Sequence, residues 1–242
     1  MTEPEGTARP KNAVVVLLDS LNRHMLGAYG GSEFDTPNLD RFAAGAVRFD
    51  RHFVGSLPCM PARHDILVGA LDFLWRPWGS IELWEESLTF WARQKGVATM
   101  LASDHPHLFE TGGENYHTDF NAWEYVRGHE GDPWKTVTDA SAVGSPEIPE
   151  ARPGPFMRPY DVSRTWFREE ADFPGPKTMQ VASDWLRANA GRHERFMLFI
   201  DEFDPHEPFD TPSPGRRATT RTGRGPSSSG PPTRSAPSRR DA

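Results

Sequence analysis

The chain has 242 residues, of which 36% are hydrophobic and 25% are charged, and its formal net charge is −7. This length suits one large domain or two small ones with a substantial core. The single cysteine excludes an intramolecular disulfide, and no apolar run is long enough to span a bilayer. Residues 1–11 are polar and lack the apolar segment of a secretory signal, so we expect a disordered N-terminus and a cytoplasmic protein without a membrane partner.

The charge is distributed unevenly along the chain. Residues 213–242 carry seven arginines and one aspartate, a net charge of +6, so residues 1–212 carry −13. Such an acidic body argues against nucleic acid as a partner of the folded part. The tail has no aromatic residue and no aliphatic residue larger than alanine, so we expect it to be disordered. The tail is either a nucleic-acid-binding arm or, as we favour, the product of a GC-rich coding sequence that is read in a shifted frame.

The first predicted element is a strand over residues 13–18, a continuous aliphatic run that ends at Asp19. Such runs are typical of strands buried on both faces of a parallel sheet. Thr36 and Pro37 then form a helix start, with a capping hydroxyl followed by proline at the first helical position. Residues 47–54 have the composition of a second extended segment.

The only cysteine, Cys59, lies between Pro58 and Pro61 and is followed by Arg63. The prolines restrict the backbone, so we expect the cysteine on a stiff turn, outside any helix or strand. An apolar run begins at Ile66, which predicts a short helix whose N-terminus lies close to the cysteine. A lone cysteine can also be a small buried apolar residue with no chemical role.

The later elements alternate between helix and strand. A helix over residues 87–95 is closed by Gly96, and a strand over 97–102 ends in the polar run 103–107. For residues 110–176 we predict a long ordered insertion with short elements.

An amphipathic helix follows over residues 177–190, with Met179, Ala182, Trp185 and Leu186 inward. The strand over 196–200 then ends in the acidic run 201–206. Helices that alternate with strands ending in acid or histidine predict an α/β fold with a mostly parallel sheet flanked by helices. In such sheets ligands bind beyond the carboxyl ends of the strands.

The run Cys59-Met60-Pro61-Ala62-Arg63 matches the Cys-x-Pro-x-Arg core of the sulfatase family at its three fixed positions. The chain resembles this family from about residue 12 to residue 212. The resemblance implies the alkaline-phosphatase-like fold of that superfamily, present here as the N-terminal part of the catalytic domain only.

By this resemblance, Cys59 is oxidised to formylglycine by a formylglycine-generating enzyme, and the hydrate of that aldehyde attacks the sulfur of a small-molecule sulfate ester. Arg63 resembles the arginine that holds the formylglycine. Asp19 stands in the place of a metal-binding acid, although Ser20 replaces the second acid of the usual pair. The implied metal ligands are Asp19 and Cys59, and the expected ion is Ca²⁺, with Mn²⁺ and Mg²⁺ as alternatives.

The resemblance also implies roles for three histidines. His107 matches a catalytic histidine that contacts the nucleophile's second oxygen, whereas His105 stands where a substrate-binding lysine is usual. His206 resembles the histidine that contacts the ester or leaving oxygen. No role is assigned to His129 or to the remaining histidines.

The family completes its metal site with a second acidic pair, and nothing after residue 212 resembles that pair. We therefore expect a truncated sulfatase that binds metal poorly and has little or no activity. A phosphonate or phosphate monoester hydrolase of the same superfamily and a non-catalytic fragment stay open as alternatives.

Overall fold

In the described residues, four strands form one sheet in which every pairing is parallel. Their order across the sheet is β1-β4-β2-β3, so the last strand in the chain lies between the first and the second. The computed structural model describes residues 11–71, 73, 75–135 and 157–210, with the backbone alone for 157–158. The strands are β1 (Asn12–Leu18), β2 (Ala98–Ser103), β3 (Ala122–Tyr125) and β4 (Phe196–Glu202).

Five α-helices accompany the sheet in the described residues: α1 (Pro37–Ala43), α2 (Cys59–Val68), α3 (Leu88–Gln94), α4 (Met157–Arg164) and α5 (Pro174–Asn189). Short 3₁₀ helices cover Arg23–Met25, Gly27–Tyr29, Pro106–Leu108 and Glu170–Asp172. The predicted helix starts are confirmed at Thr36 and at Ser87, whose hydroxyl accepts a hydrogen bond from the amide of Phe90. At the first of these, the Thr36 hydroxyl instead accepts from the amide of Gly27.

The core lies on both faces of the sheet, as the α/β prediction requires. On one face, Met60 and Leu67 of α2 pack with the β2 and β4 side chains Leu101, Met197 and Phe199. On the other face, Ala182 of α5 packs against Met100, Ala102, Leu198 and Ile200. The predicted inward residues Met179, Trp185 and Leu186 also pack there, which confirms the amphipathic assignment of this helix. β4 is buried along its whole length because it lies between two strands and two helical layers.

The prediction that the first strand is buried on both faces is wrong. β1 is the edge strand of the described sheet, and Val14 and Val16 are about half exposed, at 49% and 51%. Val15 and Leu17 point to the other face and pack against the α2 cluster. The helix α5 covers β2 and β4, so within the described residues no helix lies over Val14 and Val16.

One other prediction needs correction: residues 47–54 form no strand but an exposed irregular segment with a turn at 50–51. The short elements predicted for residues 110–176 are present in the described part of that region: β3, which pairs with β2 as a fourth parallel strand, and α4. Within this region, residues 136–156 lie outside the described residues, as do the predicted disordered segments except Lys11. None of the helices in the described ranges is both long and apolar enough to cross a membrane.

Candidate functional site

The carboxyl ends of β1, β2 and β4 bring polar side chains to one edge of the sheet. Asp19 follows β1, Asp104 and His105 follow β2, and Asp201 is the next-to-last residue of β4. The amide of Asp19 donates to the carbonyl of Glu202, which extends the β1–β4 ladder by one bond and fixes the position of Asp19. This edge is where ligands bind in open parallel sheets.

Cys59 reaches this edge as the first residue of α2, rather than on a turn outside a helix as the prolines predicted. Pro58 is the N-cap and Pro61 lies in the first turn, where a missing amide hydrogen costs no intrahelical bond. The helix ends at Gly69, which has φ +78 and so adopts the left-handed conformation that glycine favours. The thiol is partly buried, and burial raises its pKa to about 11.

Arg63 lies one helical turn after Cys59 and ties the site together. Its Nη1 donates to the carbonyl of Cys59 at 3.1 Å and lies 2.9 Å from Asp19 Oδ2. Its Nε and Nη2 donate to the two carboxylate oxygens of Asp201, at 2.7 and 2.6 Å. Burial alone would lower the pKa of Arg63, but the carboxylates of Asp201 and Asp19 raise it, so the guanidinium stays charged. Sequence reasoning missed Asp201 as a site residue, since only the fold pairs it with Arg63.

Asp19, Cys59 and His105 form a compact group of possible ligands. One ligand atom of each, an oxygen, a sulfur and a nitrogen, lies within 4.8 Å of the other two. His105 is fully buried, and its Nε2 is 3.3 Å from Asp19 Oδ2. Burial would raise the pKa of Asp19, yet His105 and Arg63 outweigh it and hold that pKa well below its usual range. Burial lowers the pKa of His105, so its imidazole is neutral at pH 7.

His107 does not join this group, although it is close to it. Its Nδ1 contacts Glu110, and its Nε2 lies 3.0 Å from Glu130 Oε2. Burial lowers the pKa of His107, but the two glutamates raise it by more, which favours the imidazolium. Glu130 was not predicted from the sequence. It has φ +43, a conformation uncommon for residues other than glycine. No pattern in the sequence around Glu130 marked it as a partner of His107.

The remaining predicted histidine, His206, lies beside the others around the ring of Phe203. The ring centroids of His105, His107, His129 and His206 are 4.8, 6.1, 4.9 and 4.3 Å from that of Phe203. The structure therefore brings all three predicted histidines together with His129, to which no role was assigned. His206 Nδ1 lies 3.0 Å from the backbone carbonyl of Glu207, so this nitrogen carries a proton and donates.

Buried acids lie behind these histidines. The His129 Nε2 is 3.7 Å from Asp104 Oδ2 and 3.6 Å from Asp204 Oδ2, too far for hydrogen bonds. Burial and the carboxylate of Glu202 raise the pKa of Asp104. Burial and the carboxylate of Asp204 raise the pKa of Glu202 to about 7. These acids therefore hold protons under conditions where exposed carboxyls are ionised.

The donor atoms can be compared with the needs of Ca²⁺, the expected ion. Ca²⁺ takes six to eight oxygen ligands, whereas the described group offers one carboxylate, one thiol and one imidazole. The Asp19 Oδ1 already accepts a hydrogen bond from the Ser20 hydroxyl at 2.9 Å. The translated residues at this edge thus do not by themselves fit a calcium site.

The chain matches known proteins at three levels. The family model named Sulfatase matches residues 11–230. Human arylsulfatase A is 44% identical over 66 residues, which are 27% of this chain and 13% of that protein. YidJ, an uncharacterized sulfatase of Escherichia coli, is 24% identical over 214 residues, 83% of this chain and 39% of YidJ. The chain therefore spans well under half the length of these relatives.

A solved structure supports the same fold. The crystal structure of the phosphonate monoester hydrolase of Agrobacterium radiobacter superposes with a TM-score of 0.59 at 18% sequence identity. The superposition covers 86% of this chain and 44% of the hydrolase chain. This likeness confirms the predicted α/β fold with a mostly parallel sheet flanked by helices.

Proposed function

The chain belongs to the sulfatase family, and we propose that it is a sulfuric ester hydrolase whose nucleophile is formylglycine made from Cys59. One observation carries this proposal. Cys59 begins a helix at the ligand-binding edge of the sheet, where its carbonyl is held by Arg63 and its thiol lies within 4.8 Å of ligand atoms of Asp19 and His105. The matching proteins named sulfatase support the reaction class.

The alternative of a cysteine-thiolate enzyme is disfavoured by the surroundings of the sulfur. Reactive cysteines have a depressed pKa, whereas burial raises the pKa of Cys59 to about 11. At neutral pH this residue is therefore a protonated thiol, which is a poor nucleophile. Oxidation of its Cβ to an aldehyde by a formylglycine-generating enzyme removes the thiol and provides a different nucleophile.

If formed, the hydrated aldehyde at residue 59 would supply the attacking oxygen, and a divalent cation held by Asp19 and residue 59 would supply positive charge beside the sulfuryl group. The residues of the chain have separate tasks. Arg63 fixes the first turn of α2 through the Cys59 carbonyl, so residue 59 is held in position. His105 is neutral and buried beside Asp19, which allows it to accept a proton from an attacking oxygen.

His206 is proposed to face the leaving oxygen. Its Nδ1 is occupied by the Glu207 carbonyl, so Nε2 donates a proton only when the ring is an imidazolium. His107 is held as an imidazolium by Glu110 and Glu130, which contact both of its ring nitrogens. His206 is therefore the ring proposed to contact the ester group and to protonate the alcohol as it leaves.

The described charges favour a sulfate over a phosphate ester. The positive charge of Arg63 is neutralised by the carboxylates of Asp19 and Asp201, so it contributes little attraction for a substrate anion. His105 is neutral, where the resembled family has a positively charged lysine. A sulfate monoester carries one negative charge, whereas a phosphate monoester carries up to two at pH 7. Phosphonate or phosphate ester hydrolysis and a non-catalytic role are the alternatives that the experiment must separate.

We also expect slow turnover from this chain. After conversion, Asp19 and position 59 would offer oxygen ligands to Ca²⁺, with Mn²⁺ or Mg²⁺ as alternatives. The described residues still fall short of the six to eight oxygens that Ca²⁺ prefers. We therefore expect weak metal binding and little sulfate release.

The test is co-expression of the full chain with and without a formylglycine-generating enzyme. Mass spectrometry of the Cys59 peptide is expected to show loss of sulfur and gain of oxygen only with that enzyme. Hydrolysis of an aryl sulfate and an aryl phosphonate is then compared for this protein and for Cys59→Ser. A thiol that stays intact after co-expression contradicts the proposal. Preferential cleavage of the phosphonate supports the alternative ester.

A further inference from the structure

The ligand atoms around Cys59 differ in kind from those of a calcium site. Sulfur, imidazole nitrogen and one carboxylate oxygen are the donors of zinc sites with an open fourth position. We propose that the chain with Cys59 as an unmodified thiol holds Zn²⁺ between Asp19, Cys59 and His105, and that it does not select Ca²⁺. This inference concerns the translated residues alone and does not rest on sulfatase activity or on formylglycine.

The distance between Asp19 and His105 suits a tetrahedral ion. Zinc bonds to imidazole nitrogen and carboxylate oxygen are about 2.0–2.2 Å long, which separates two ligand atoms by about 3.4 Å. Asp19 Oδ2 and His105 Nε2 are 3.3 Å apart. All three ligand atoms, including the Cys59 sulfur, lie within 4.8 Å of one another. One ion can therefore reach them with small side-chain adjustments.

The buried His105 imidazole has few other partners. Its Nδ1 makes no hydrogen bond, and its Nε2 faces only Asp19 Oδ2, at 3.3 Å, an oxygen that Arg63 Nη1 also contacts at 2.9 Å. Buried polar atoms are almost always hydrogen-bonded, so each exception points to an ion or a solvent molecule. Cys59 is only partly buried, which leaves a route by which the ion can enter.

The local charges permit the ion despite the nearby guanidinium. Asp19 and Asp201 carry one negative charge more than Arg63 provides. Zinc binding replaces the thiol proton, which leaves to solvent, so the ion and the thiolate together add one positive charge. The group with zinc is therefore neutral, as expected for a stable buried site.

His105 is the residue that makes the site distinct. The resembled family usually has lysine at this position, and an ammonium group has no lone pair for a metal. The imidazole adds a second ligand of the kind that zinc accepts, next to a thiolate that Ca²⁺ binds poorly. The imidazole of His105 thus favours zinc over calcium in the unmodified chain.

The experiment uses the full chain expressed without a converting enzyme, with the Cys59 thiol verified by intact mass. Titration calorimetry measures Zn²⁺ and Ca²⁺ binding, and Co²⁺ serves as a spectroscopic probe of a metal–thiolate bond. We expect zinc to bind about a hundredfold or more tightly than calcium. Cobalt is expected to give a thiolate charge-transfer band, and zinc should slow the alkylation of Cys59.

The variants Cys59→Ser and His105→Lys are each expected to weaken zinc binding by about a hundredfold or more. Cys59→Ser preserves shape, so it remains informative even when His105→Lys does not fold by circular dichroism. His52→Ala, which removes an exposed histidine, should leave the affinity unchanged. Zinc affinity that is unaffected in Cys59→Ser, a cobalt complex without a thiolate band, or tighter binding of calcium overturns the proposal. Failure to form formylglycine would overturn the proposed function and leave these results unchanged.

Discussion

Arg63 and Asp201 are 138 residues apart in the chain and form a buried bidentate ion pair, with Nε–Oδ2 and Nη2–Oδ1 distances of 2.7 and 2.6 Å. The third nitrogen of the guanidinium, Nη1, contacts the Cys59 carbonyl and Asp19. One side chain thus links β1, the start of α2 and β4. The position of residue 59 relative to the sheet therefore depends on Asp201, which acts through Arg63 and makes no described contact with residue 59 itself.

Replacement of this carboxylate should be costly. In Asp201→Asn, Arg63 loses its bidentate partner while it stays buried, so we expect the free energy of unfolding to fall by about 3–5 kcal/mol. Urea denaturation monitored by tryptophan fluorescence measures the change. Asp50→Asn is the matched control because Asp50 pairs with Arg48 at 2.8 Å on the surface, and its loss should cost under about 1 kcal/mol. Equal stability of the two variants would show that the buried pair contributes little.

Asp19 and Asp201, the two carboxylates that contact Arg63, show what sequence reasoning could and could not predict. Asp19 was predicted at the site because it follows an apolar run, and strand ends in parallel sheets gather ligands. Cys59, Arg63 and His105 were predicted from a motif and its order along the chain. The partner of Arg63 could not be predicted, because a local pattern does not say which carboxylate of a distant strand faces a given helix.

The same limit explains the errors in the fold. The run at 13–18 is apolar on both faces, and this pattern predicted a strand correctly but not its edge position in the described sheet. β3 has only four residues and includes the exposed Glu124, so neither alternation nor an aliphatic run marked it as a strand. The α5 helix was predicted well because its apolar residues recur at helical spacing over four turns.

The contacts of His107 predict a raised pKa that can be measured directly. Glu130 and Glu110 outweigh the effect of burial, so the pKa of His107 should lie above its ordinary value of 6.5. Glu130→Gln removes one of the two charges and should lower it. Nuclear magnetic resonance titration of the histidine ring protons follows both changes, with His52 as an internal reference. A His107 pKa that does not move in Glu130→Gln would mean that the 3.0 Å contact is absent in solution.

The acid pair behind the site should make stability fall as pH rises. Burial raises the pKa of Glu202 from 4.5 to about 7, so between these values the folded chain holds a proton that the unfolded chain has lost. The free energy of unfolding therefore decreases as pH rises through this window, by an amount on the order of 1–3 kcal/mol. Glu202→Gln should flatten this part of the pH dependence, measured by urea denaturation at several pH values. Glu124→Gln, which changes an exposed strand residue, should not.

The close packing beneath Glu202 gives a further test of this part of the site. A Cβ atom at Gly175 would overlap Glu202 Oε1 and lie 3.0 Å from Asp204 Oδ2. Glu202 is 4% exposed and has little room to move, so the added methyl group should shift the carboxylates. Alanine is the better helix former by about 1 kcal/mol, but overpacking costs about 1–3 kcal/mol, so we expect net destabilisation.

Thermal unfolding of Gly175→Ala should accordingly show a lower midpoint than the wild type. Gly191→Ala is the matched control, because a Cβ at Gly191 meets no atom within 4 Å, and this substitution should be neutral. Because the overlap acts on Glu202, the pH dependence of stability should also change in Gly175→Ala and not in Gly191→Ala. A Gly175→Ala protein as stable as the wild type, with an unaltered pH dependence, would show that Glu202 is free to move away from α5. The buried acid arrangement would then not be held by this helix.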